Sequence, residues 1–255
     1  CNNYFCTIYQ KTIDKNGDAH TGMDRWSEHV KSFGLGTFLG NDLPTGRKGL
    51  IPDANYYDRF LGYSTWKGAT SVSNGIGQGE LVATPIQLAN MTAAIANRGY
   101  YYTPHIIKES DHDPIDSAFI TPRHTTIAPK HFEVVIDGMY AVFEHGTAKG
   151  SRIPHITQCG KTGTAQNPHG QDHSIFVSFA PKDQPKIALA VIIENGYWGS
   201  RWAAPIASLM TEMYLTDTIT RHALEERMFE GDLHEEYRQQ HVVIYGEDST
   251  YQANF

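Results

Sequence analysis

The feature that most constrains the fold is a pair of short β-rich runs in the second half of the chain. Residues 174–180 and 186–194 are rich in β-branched and aromatic side chains, and a polar link, Pro181-Lys182-Asp183-Gln184-Pro185, joins them. A link this short favours antiparallel neighbours, because a parallel crossover needs a dozen or more residues. Residues 155–160 form a third β-rich run. The three runs together predict an antiparallel meander.

Helical patterns lie on both sides of this meander. Thr84 has the features of an N-cap, Pro85 follows at the first helical position, and Gln87 completes a capping box. Apolar residues at helical spacing predict helices over residues 23–33, 84–98, 131–144 and 203–215. The order of elements indicates an α+β fold, with an antiparallel sheet flanked by helices and a helical subdomain.

Two segments carry weaker patterns. Residues 34–80 are rich in Gly, Pro, Asn and Tyr with little periodicity, and we expect a long irregular region there. Residues 1–20 are polar and contain a turn cluster at residues 14–18. From Arg221 the chain becomes strongly charged. We therefore predict a folded domain over residues 1–220 and a charged tail over 221–255, consisting of a solvated helix and a loose end.

Composition excludes several classes of protein. The 255 residues carry a net charge of −7, which argues against a nucleic-acid binder, because neutralising phosphates requires a basic surface. The longest apolar stretch, residues 187–193, has the length of a strand and not of a membrane span. Cys1, Cys6 and Cys159 give no disulfide framework and no zinc signature. The sequence begins at Cys1 and not at a methionine, so we expect it to be a fragment of a longer protein.

One short motif carries chemistry. Lys161-Thr162-Gly163-Thr164 ends the first predicted strand. Lysine offers a point charge for a carboxylate, the threonines offer hydroxyl donors, and Gly163 leaves room for a substrate backbone beside the strand. An exposed strand edge with these groups can hold an extended peptide as an added strand. The motif therefore predicts a site for a peptide that ends in a free carboxylate.

Four segments resemble the class B penicillin-binding proteins, in particular the elongation-specific transpeptidases called penicillin-binding protein 2. They follow one another in the order typical of that family and together cover much of residues 1–215. The segments are Cys1-Asn2-Asn3-Tyr4-Phe5, which is similar to the end of a Ser-x-Asn motif, residues 75–79 with 84–89, residues 159–166 and residues 173–181. The resemblance implies the penicillin-recognising serine transpeptidase fold, related to that of the β-lactamases.

The resemblance also implies a reaction and its residues. The reaction is acyl transfer on peptidoglycan stem peptides that end in D-Ala-D-Ala, which β-lactam antibiotics mimic. Lys161 would orient the motif serine and supply positive charge, and Thr162 and Thr164 would hold the substrate carboxylate. The backbone N–H of Thr164 would contribute to the oxyanion hole. Asn2 would bind the substrate amide. No cofactor and no metal are expected.

The family context implies a location and partners for the whole protein. The resemblance predicts a protein anchored in the cell inner membrane, with its catalytic domain in the periplasm. A membrane glycosyltransferase of the elongation machinery is the expected partner, and no nucleic acid is expected.

The sequence departs from the family pattern in the position of the nucleophile motif, Ser-x-x-Lys. The chain contains one match, Ser64-Thr65-Trp66-Lys67, and it lies after the Asn2 position and between two glycines. The chemistry requires both side chains on one face of a helix start, so we reject Ser64 as the nucleophile. We expect the nucleophile and the serine of Ser-x-Asn to lie before Cys1. These 255 residues alone are therefore expected not to form an acyl-enzyme.

Alternatives remain open for three groups of residues. Cys1 is a possible metal ligand or a small buried residue. The loop with His169, Asp172 and His173 could bind a metal, shape the cleft or be solvated. Aromatic side chains near the last predicted helix could bind a glycan strand or pack against that helix, and these are Tyr197, Trp198 and Trp202.

The function of the chain also has alternatives. A β-lactamase, a D,D-carboxypeptidase and a non-enzymatic β-lactam sensor are the alternatives to a transpeptidase.

Overall fold

The computed structural model describes residues 2–43, 46–63, 65–108 and 114–245. Its chain divides into two compact units, residues 1–133 and 134–255. Cys1 and Ser64 lie outside the described residues, so the metal-ligand alternative at Cys1 and the rejection of Ser64 stay predictions. The predicted domain boundary between residues 220 and 221 likewise stays a prediction.

The first unit is mainly helical. One cluster of its core consists mostly of side chains from α1, α2 and α3 and includes Tyr9, Ile13, Met23 and Tyr57. Its elements are α1 (Asn2–Ile13), α2 (Ala19–Lys31), α3 (Ala54–Leu61), α4 (Pro85–Ala96), β1 (Tyr100–Tyr101), α5 (Ser117–Ile120) and β2 (Arg123–His124), with 3-10 turns at Lys15–Gly17, Val72–Ile76 and Pro129–His131. Strands β1 and β2 pair antiparallel.

Two of these helices correct the sequence prediction. The segment predicted as polar with a turn begins with α1, whose only buried side chains are Tyr9 and Ile13. Two buried positions give too weak a periodic pattern to be recognised, and packing against α2 stabilises the helix. The predicted irregular region contains α3, which Asp53 caps by accepting a hydrogen bond from the N–H of Tyr56.

The capped helix α4 confirms its prediction. The Thr84 side chain accepts from the backbone of Gln87, the Gln87 side chain accepts from the backbone of Thr84, and Pro85 is the first helical residue. Helix α2 begins four residues earlier than predicted, because the side chain of Asp18 accepts from the N–H groups of His20 and Thr21. Local side-chain chemistry thus fixes where both helices start.

The second unit places helices on a three-stranded antiparallel sheet of order β3-β4-β5. Buried side chains of α6, β4 and α7, including Phe143, Phe176 and Ala207, form its core. Its elements are α6 (Phe132–Glu144), which begins at the end of the first unit, a 3-10 turn at Lys149–Ser151, β3 (Cys159–Ala165), β4 (His173–Ala180), β5 (Ile187–Ile193), α7 (Ala203–Thr216), α8 (His222–Glu230) and α9 (Leu233–Tyr245). The meander and the helix that follows it are confirmed.

The first strand of the meander lies later than predicted. The prediction began it at residue 155 and ended it with the Lys161–Thr164 motif, whereas β3 runs over Cys159–Ala165 and so begins four residues later. Glycines at positions 160 and 163 hide the strand in the sequence, because glycine has low intrinsic strand preference. Pairing with β4 along all seven residues overrides that preference.

The charged C-terminal segment is helical as far as residue 245, where the described residues end. Its predicted helix is present as α8, and α9 is a second helix that was not predicted. Within the described part of the chain, no helix combines the length and the apolar character needed to span a bilayer.

Candidate active site

The Lys-Thr-Gly motif occupies an edge strand. Among the described residues, β3 pairs on one side only, with β4, and Gly163 lies opposite Ile175. Lys161 is exposed, and Thr162, Gly163 and Thr164 are half-buried. The other side of β3 therefore offers backbone groups and side chains to an extended ligand.

Lys161 provides the positive charge of this edge. Its ammonium group donates to the backbone oxygen of Thr162 at 2.5 Å. Desolvation lowers the pKa of Lys161 from its ordinary value, because protein atoms replace part of the water around the ammonium. A bound carboxylate would favour the protonated form and oppose this shift.

Thr162 has a hydroxyl partner that the sequence analysis missed. The Oγ1 atoms of Thr147 and Thr162 are 3.0 Å apart, which is a hydrogen-bond distance. Thr147 lies in the turn after α6, fifteen positions before Thr162. No spacing rule links these two positions. Only the return of the chain from α6 into β3 brings the hydroxyls together.

Gly163 has a close backbone neighbour. A Cβ atom at Gly199 would lie 2.7 Å from the carbonyl oxygen of Gly163 and 2.5 Å from that of Ile175. Gly199 belongs to the loop between β5 and α7, so this loop lies directly on β3 and β4. The absence of a side chain at Gly199 permits this approach, which the sequence analysis did not foresee.

The predicted site residues do not all lie in the same unit. Lys161, Thr162, Gly163 and Thr164 are consecutive on β3 in the second unit. Asn2 is the first residue of α1 in the first unit, and it is exposed. The roles of all five residues stay predictions.

The remainder of the Ser-x-x-Lys match is not helical. Thr65, Trp66 and Lys67 follow α3 without helical structure, and Trp66 is buried in the core of the first unit. Lys67 is thus not on a helix, whereas the nucleophile chemistry requires the lysine on the face of a helix start.

The segment of residues 75–79, which belongs to the family resemblance, is shaped by close packing and turn geometry. A Cβ atom at Gly75 would lie 2.5 Å from the Cβ of Tyr9 on α1. Gly77 ends the 3-10 turn at Val72–Ile76 with φ of +77°, a left-handed conformation that glycine adopts most easily. Packing and turn geometry explain these two glycines without any contact to a ligand.

The loop between β3 and β4 is tied by hydrogen bonds. The carboxylate of Asp172 accepts from the backbone N–H of Asn167, and Nδ1 of His173 accepts from the N–H of Asn195. The side-chain oxygen of Asn167 accepts from the N–H of His169. Across the described residues, no group of three His, Cys, Asp or Glu side chains is arranged to hold a metal ion.

The three aromatic residues near α7 have different environments. Trp202 is 5% exposed and packs inside the second unit, whereas Trp198 is 54% exposed. Tyr197 packs edge-on against Trp198, with ring centroids 4.7 Å apart. Of these three aromatic side chains, Trp198 is therefore exposed, Tyr197 is half-buried beside it and Trp202 is buried.

Comparison with known proteins identifies the family. Residues 1–212 match the family model "Penicillin binding protein transpeptidase domain". The chain is 33% identical over 216 residues to the peptidoglycan D,D-transpeptidase MrdA of Acinetobacter baumannii, covering 76% of this chain and 31% of that protein. The chain thus spans about a third of the length of this curated relative.

Solved structures agree with this assignment. Pseudomonas aeruginosa PBP2 in complex with WCK 5153 is 34% identical with a TM-score of 0.72, covering 85% of this chain and 47% of that one. Helicobacter pylori PBP2, solved as a complex with MreC, is 26% identical with a TM-score of 0.69, covering 85% and 39%. The α+β architecture is therefore the penicillin-recognising serine hydrolase fold, and the chain belongs to the penicillin-binding protein transpeptidase domain family, with relatives of the PBP2 type.

Proposed function

We propose that this chain forms the peptide-binding part of a peptidoglycan D,D-transpeptidase. The observation that carries the proposal is the position of Lys161, Thr162 and Thr164 together on the open edge of β3. A stem peptide that ends in D-Ala-D-Ala is an extended chain with a free carboxylate. Such a chain can add to the strand edge through its backbone and meet the lysine and hydroxyls with its terminus.

Each residue of the site has a separate role in the proposed reaction. The Lys161 ammonium attracts the terminal carboxylate, and the hydroxyls of Thr162 and Thr164 donate to it. The backbone N–H of Thr164 is one donor for the oxyanion that forms when a serine attacks the penultimate D-alanine carbonyl, a contribution of about 3 kcal/mol. The C–N bond to D-alanine breaks, and the proton of the serine hydroxyl passes to the leaving amine. The amine of a neighbouring stem peptide then attacks the acyl-enzyme, forms the new amide bond and releases the serine, which regains a proton. Asn2 binds the substrate amide.

The names of the relatives support a transpeptidase over a β-lactamase, a D,D-carboxypeptidase or a β-lactam sensor. The MrdA proteins of three species are all named peptidoglycan D,D-transpeptidases. The longer protein would distinguish these functions. A transpeptidase passes the acyl group to an amine and releases a bound penicillin slowly, whereas a β-lactamase hydrolyses penicillin rapidly.

We further propose that the whole protein works in a membrane-bound assembly. Helicobacter pylori PBP2 was solved together with MreC, which supports an assembly for proteins of this type. The proposed partner is a membrane glycosyltransferase that supplies the glycan strands to be cross-linked. The proposed location is the inner membrane, with this domain in the periplasm. Co-purification of the glycosyltransferase with the tagged longer protein, extracted in detergent, tests this proposal, and its absence from the purified sample contradicts it.

Peptide binding tests the proposed site directly. Titration of the 255-residue chain with diacetyl-Lys-D-Ala-D-Ala, followed by NMR, should shift the amide signals of β3. Thr162→Ala and Thr164→Ala should each weaken binding by about tenfold or more, since a hydrogen bond to a charged group contributes about 1.5–3 kcal/mol. Thr218→Ala, an exposed threonine of the same unit, is the matched control and should bind as the wild type does.

Two further results would decide against the site. Equal binding of the L-Ala-L-Ala peptide would show that the edge does not recognise the substrate end. Binding that persists as the pH rises through the pKa of Lys161, which lies below its ordinary value of 10.5, would show that the ammonium is not used. The carboxylate needs the protonated lysine, so affinity should fall over that interval.

The rejection of Ser64 has its own test. Incubation of the purified chain with a fluorescent penicillin should give no covalent label, because the only Ser-x-x-Lys match ends in a non-helical Lys67. A label that mass spectrometry maps to Ser64 would contradict the rejection and would name a nucleophile within these residues. A penicillin-binding protein that forms a covalent adduct with the same fluorescent penicillin is the positive control.

A further inference from the structure

Helices α8 and α9 follow the part of the chain that matches the family. The family model ends at residue 212, and the two helices run over His222–Glu230 and Leu233–Tyr245. Their connection to α7 is fixed by Glu212, whose carboxylate accepts from the Thr220 hydroxyl at 2.6 Å and from Nε of Arg221 at 2.9 Å. Arg221 also donates to the backbone oxygen of Ser151 at 2.9 Å. The segment after α7 is therefore anchored where it begins.

Helix α9 contacts the β5–α7 loop, which we define as residues 194–202. The Tyr237 hydroxyl donates to the backbone oxygen of Asn195 at 2.6 Å, and Tyr237 is 8% exposed. The carboxylate of Glu236 accepts from Nε of Arg201 at 2.5 Å and from Nε1 of Trp202 at 3.2 Å. Adjacent residues of α9 thus bind both ends of the loop.

The link between α8 and α9 adds contacts at Trp202. A Cβ atom at Gly231 would lie 2.2 Å from the Trp202 ring, so the backbone of the link touches the ring directly. Arg227 of α8 places its guanidinium 6.0 Å from the centre of that ring and donates to the backbone oxygen of Arg201 at 2.8 Å. The extension therefore contributes to the burial of Trp202.

The same loop contacts the Lys-Thr-Gly strand on its other side. Gly199 lies against the backbone of Gly163, between the two threonines of the motif. The hydroxyl of Ser174, which pairs with Thr164 across the sheet, donates to the backbone oxygen of Trp198 at 3.0 Å. The N–H of Tyr197 donates to the backbone oxygen of Asp172 at 2.7 Å. A continuous series of contacts therefore runs from α9 through the loop to the motif.

We infer that α8 and α9 hold the β5–α7 loop against β3, and that Glu236 and Tyr237 are positioning residues for Thr162 and Thr164. The inference extends the proposed function, because it concerns the geometry of the same carboxylate site. A loop fixed at both ends keeps the edge strand in one conformation. A peptide that adds to an ordered edge does not have to order that edge when it binds.

Two measurements on the 255-residue chain test this inference. Hydrogen exchange, followed by mass spectrometry, reports the protection of residues 159–165 and 195–202. NMR titration with diacetyl-Lys-D-Ala-D-Ala reports affinity. Tyr237→Phe and Glu236→Gln remove the two contacts with minimal change of shape. Glu235→Gln is the matched control, because Glu235 pairs with Arg238 on the exposed side of the same helix.

Both variants should exchange faster in residues 159–165 and 195–202, by about two- to tenfold, and should bind the peptide about two- to tenfold more weakly. Glu235→Gln should change neither quantity. Faster exchange spread evenly over residues 134–245, in step with a lower unfolding temperature, would mean that α9 only stabilises the unit and would overturn the inference.

The remaining outcomes separate the inference from the proposed function. Unchanged exchange in residues 159–165 overturns the inference whether or not the peptide binds. Faster local exchange with unchanged peptide affinity also overturns it, because the site would not depend on the loop. Failure of the wild-type chain to bind the peptide contradicts the proposed function, while faster local exchange in the variants would still support the hold of α9 on the loop.

Discussion

Gly199 and Gly163 meet where a loop lies directly on an edge strand. Neither residue has a side chain, and the backbone of one is in contact with the backbone of the other. Gly163 alone could be explained by the approach of a substrate backbone. The close approach of the loop depends on Gly199, because a Cβ atom at Gly163 would lie nearest to the side chain of Ile175, at 3.2 Å.

Substitution of Gly199 by alanine should disturb this contact. The new methyl group would lie within 3 Å of two backbone oxygens, those of Gly163 and Ile175, so the loop would have to move. We expect a loss of about 1–3 kcal/mol in the free energy of unfolding, as for other overpacked sites. Urea denaturation measures this loss.

Gly150→Ala is the matched control for that experiment. An added Cβ at Gly150 meets no atom within 4 Å, and Gly150 lies in a 3-10 turn of the same unit. It should change stability little. Equal stability of the wild type and Gly199→Ala would show that the loop has space which the contact distances do not indicate.

Helix α4 shows how one element orders a distant segment. Gln87, at its third position, is 1% exposed. Its side-chain nitrogen lies at hydrogen-bond distance from the backbone oxygens of Gly34 at 3.3 Å, Thr37 at 2.9 Å and Lys48 at 3.0 Å. The capping residue of α4 therefore also binds the irregular segment that follows α2.

Gln87→Leu should be more destabilising than Thr84→Ala. Loss of the Thr84 cap costs about 1 kcal/mol. Loss of the Gln87 amide also leaves buried carbonyl groups without a donor, at about 1–3 kcal/mol for each unsatisfied group. Thermal or urea unfolding of the two variants tests this order, and an equal loss in both would contradict a role for Gln87 outside the cap.

Sequence reasoning identified those contacts of Gln87 that are made within the first turn of α4. Thr84, Pro85 and Gln87 lie within four positions, so their capping role was predictable, whereas the acceptors of the Gln87 amide lie 39–53 positions away. The motif on β3 was found from its residue types, but the strand around it was placed too early because its glycines carry no strand signal. Thr147 and Gly199 were missed because only tertiary structure brings them to the motif.

At the scale of the whole molecule, the chain has two compact units with separate sets of core residues. In the second unit, the ion pair of Glu212 and Arg221 joins the last helix of the family region to the C-terminal extension. Their side chains are 3% and 15% exposed, so water screens this pair little. The buried pair therefore connects the stability of the extension to pH.

The pKa of Glu212 determines the direction of that dependence. Burial by itself would raise the pKa, but hydrogen bonds from Thr220 and Arg221 outweigh burial and hold it below its ordinary value of 4.5. A carboxylate with a lowered pKa in the folded state stabilises the protein above the unfolded-state pKa, and this contribution is lost as the pH falls through the folded-state value. Stability should therefore decrease as the pH is lowered below about 4.5.

Glu212→Gln should show where this decrease comes from. At pH 7 the variant leaves Arg221 without its carboxylate partner, and we expect it to be less stable by about 3 kcal/mol. As the pH falls below the folded-state pKa, the wild type loses the same interaction, so the difference between the two proteins should shrink. Urea unfolding between pH 7 and pH 3, followed by hydrogen exchange in residues 203–230, measures that difference. Glu235→Gln is the control. The hydrogen bond with Arg238 lowers the pKa of Glu235 to about 2, so this carboxylate also has a lowered pKa. Because it is exposed and water screens it, its loss should change stability little at any pH. A difference between wild type and Glu212→Gln that stays constant over the whole interval would show that the charge of Glu212 does not hold the extension in place.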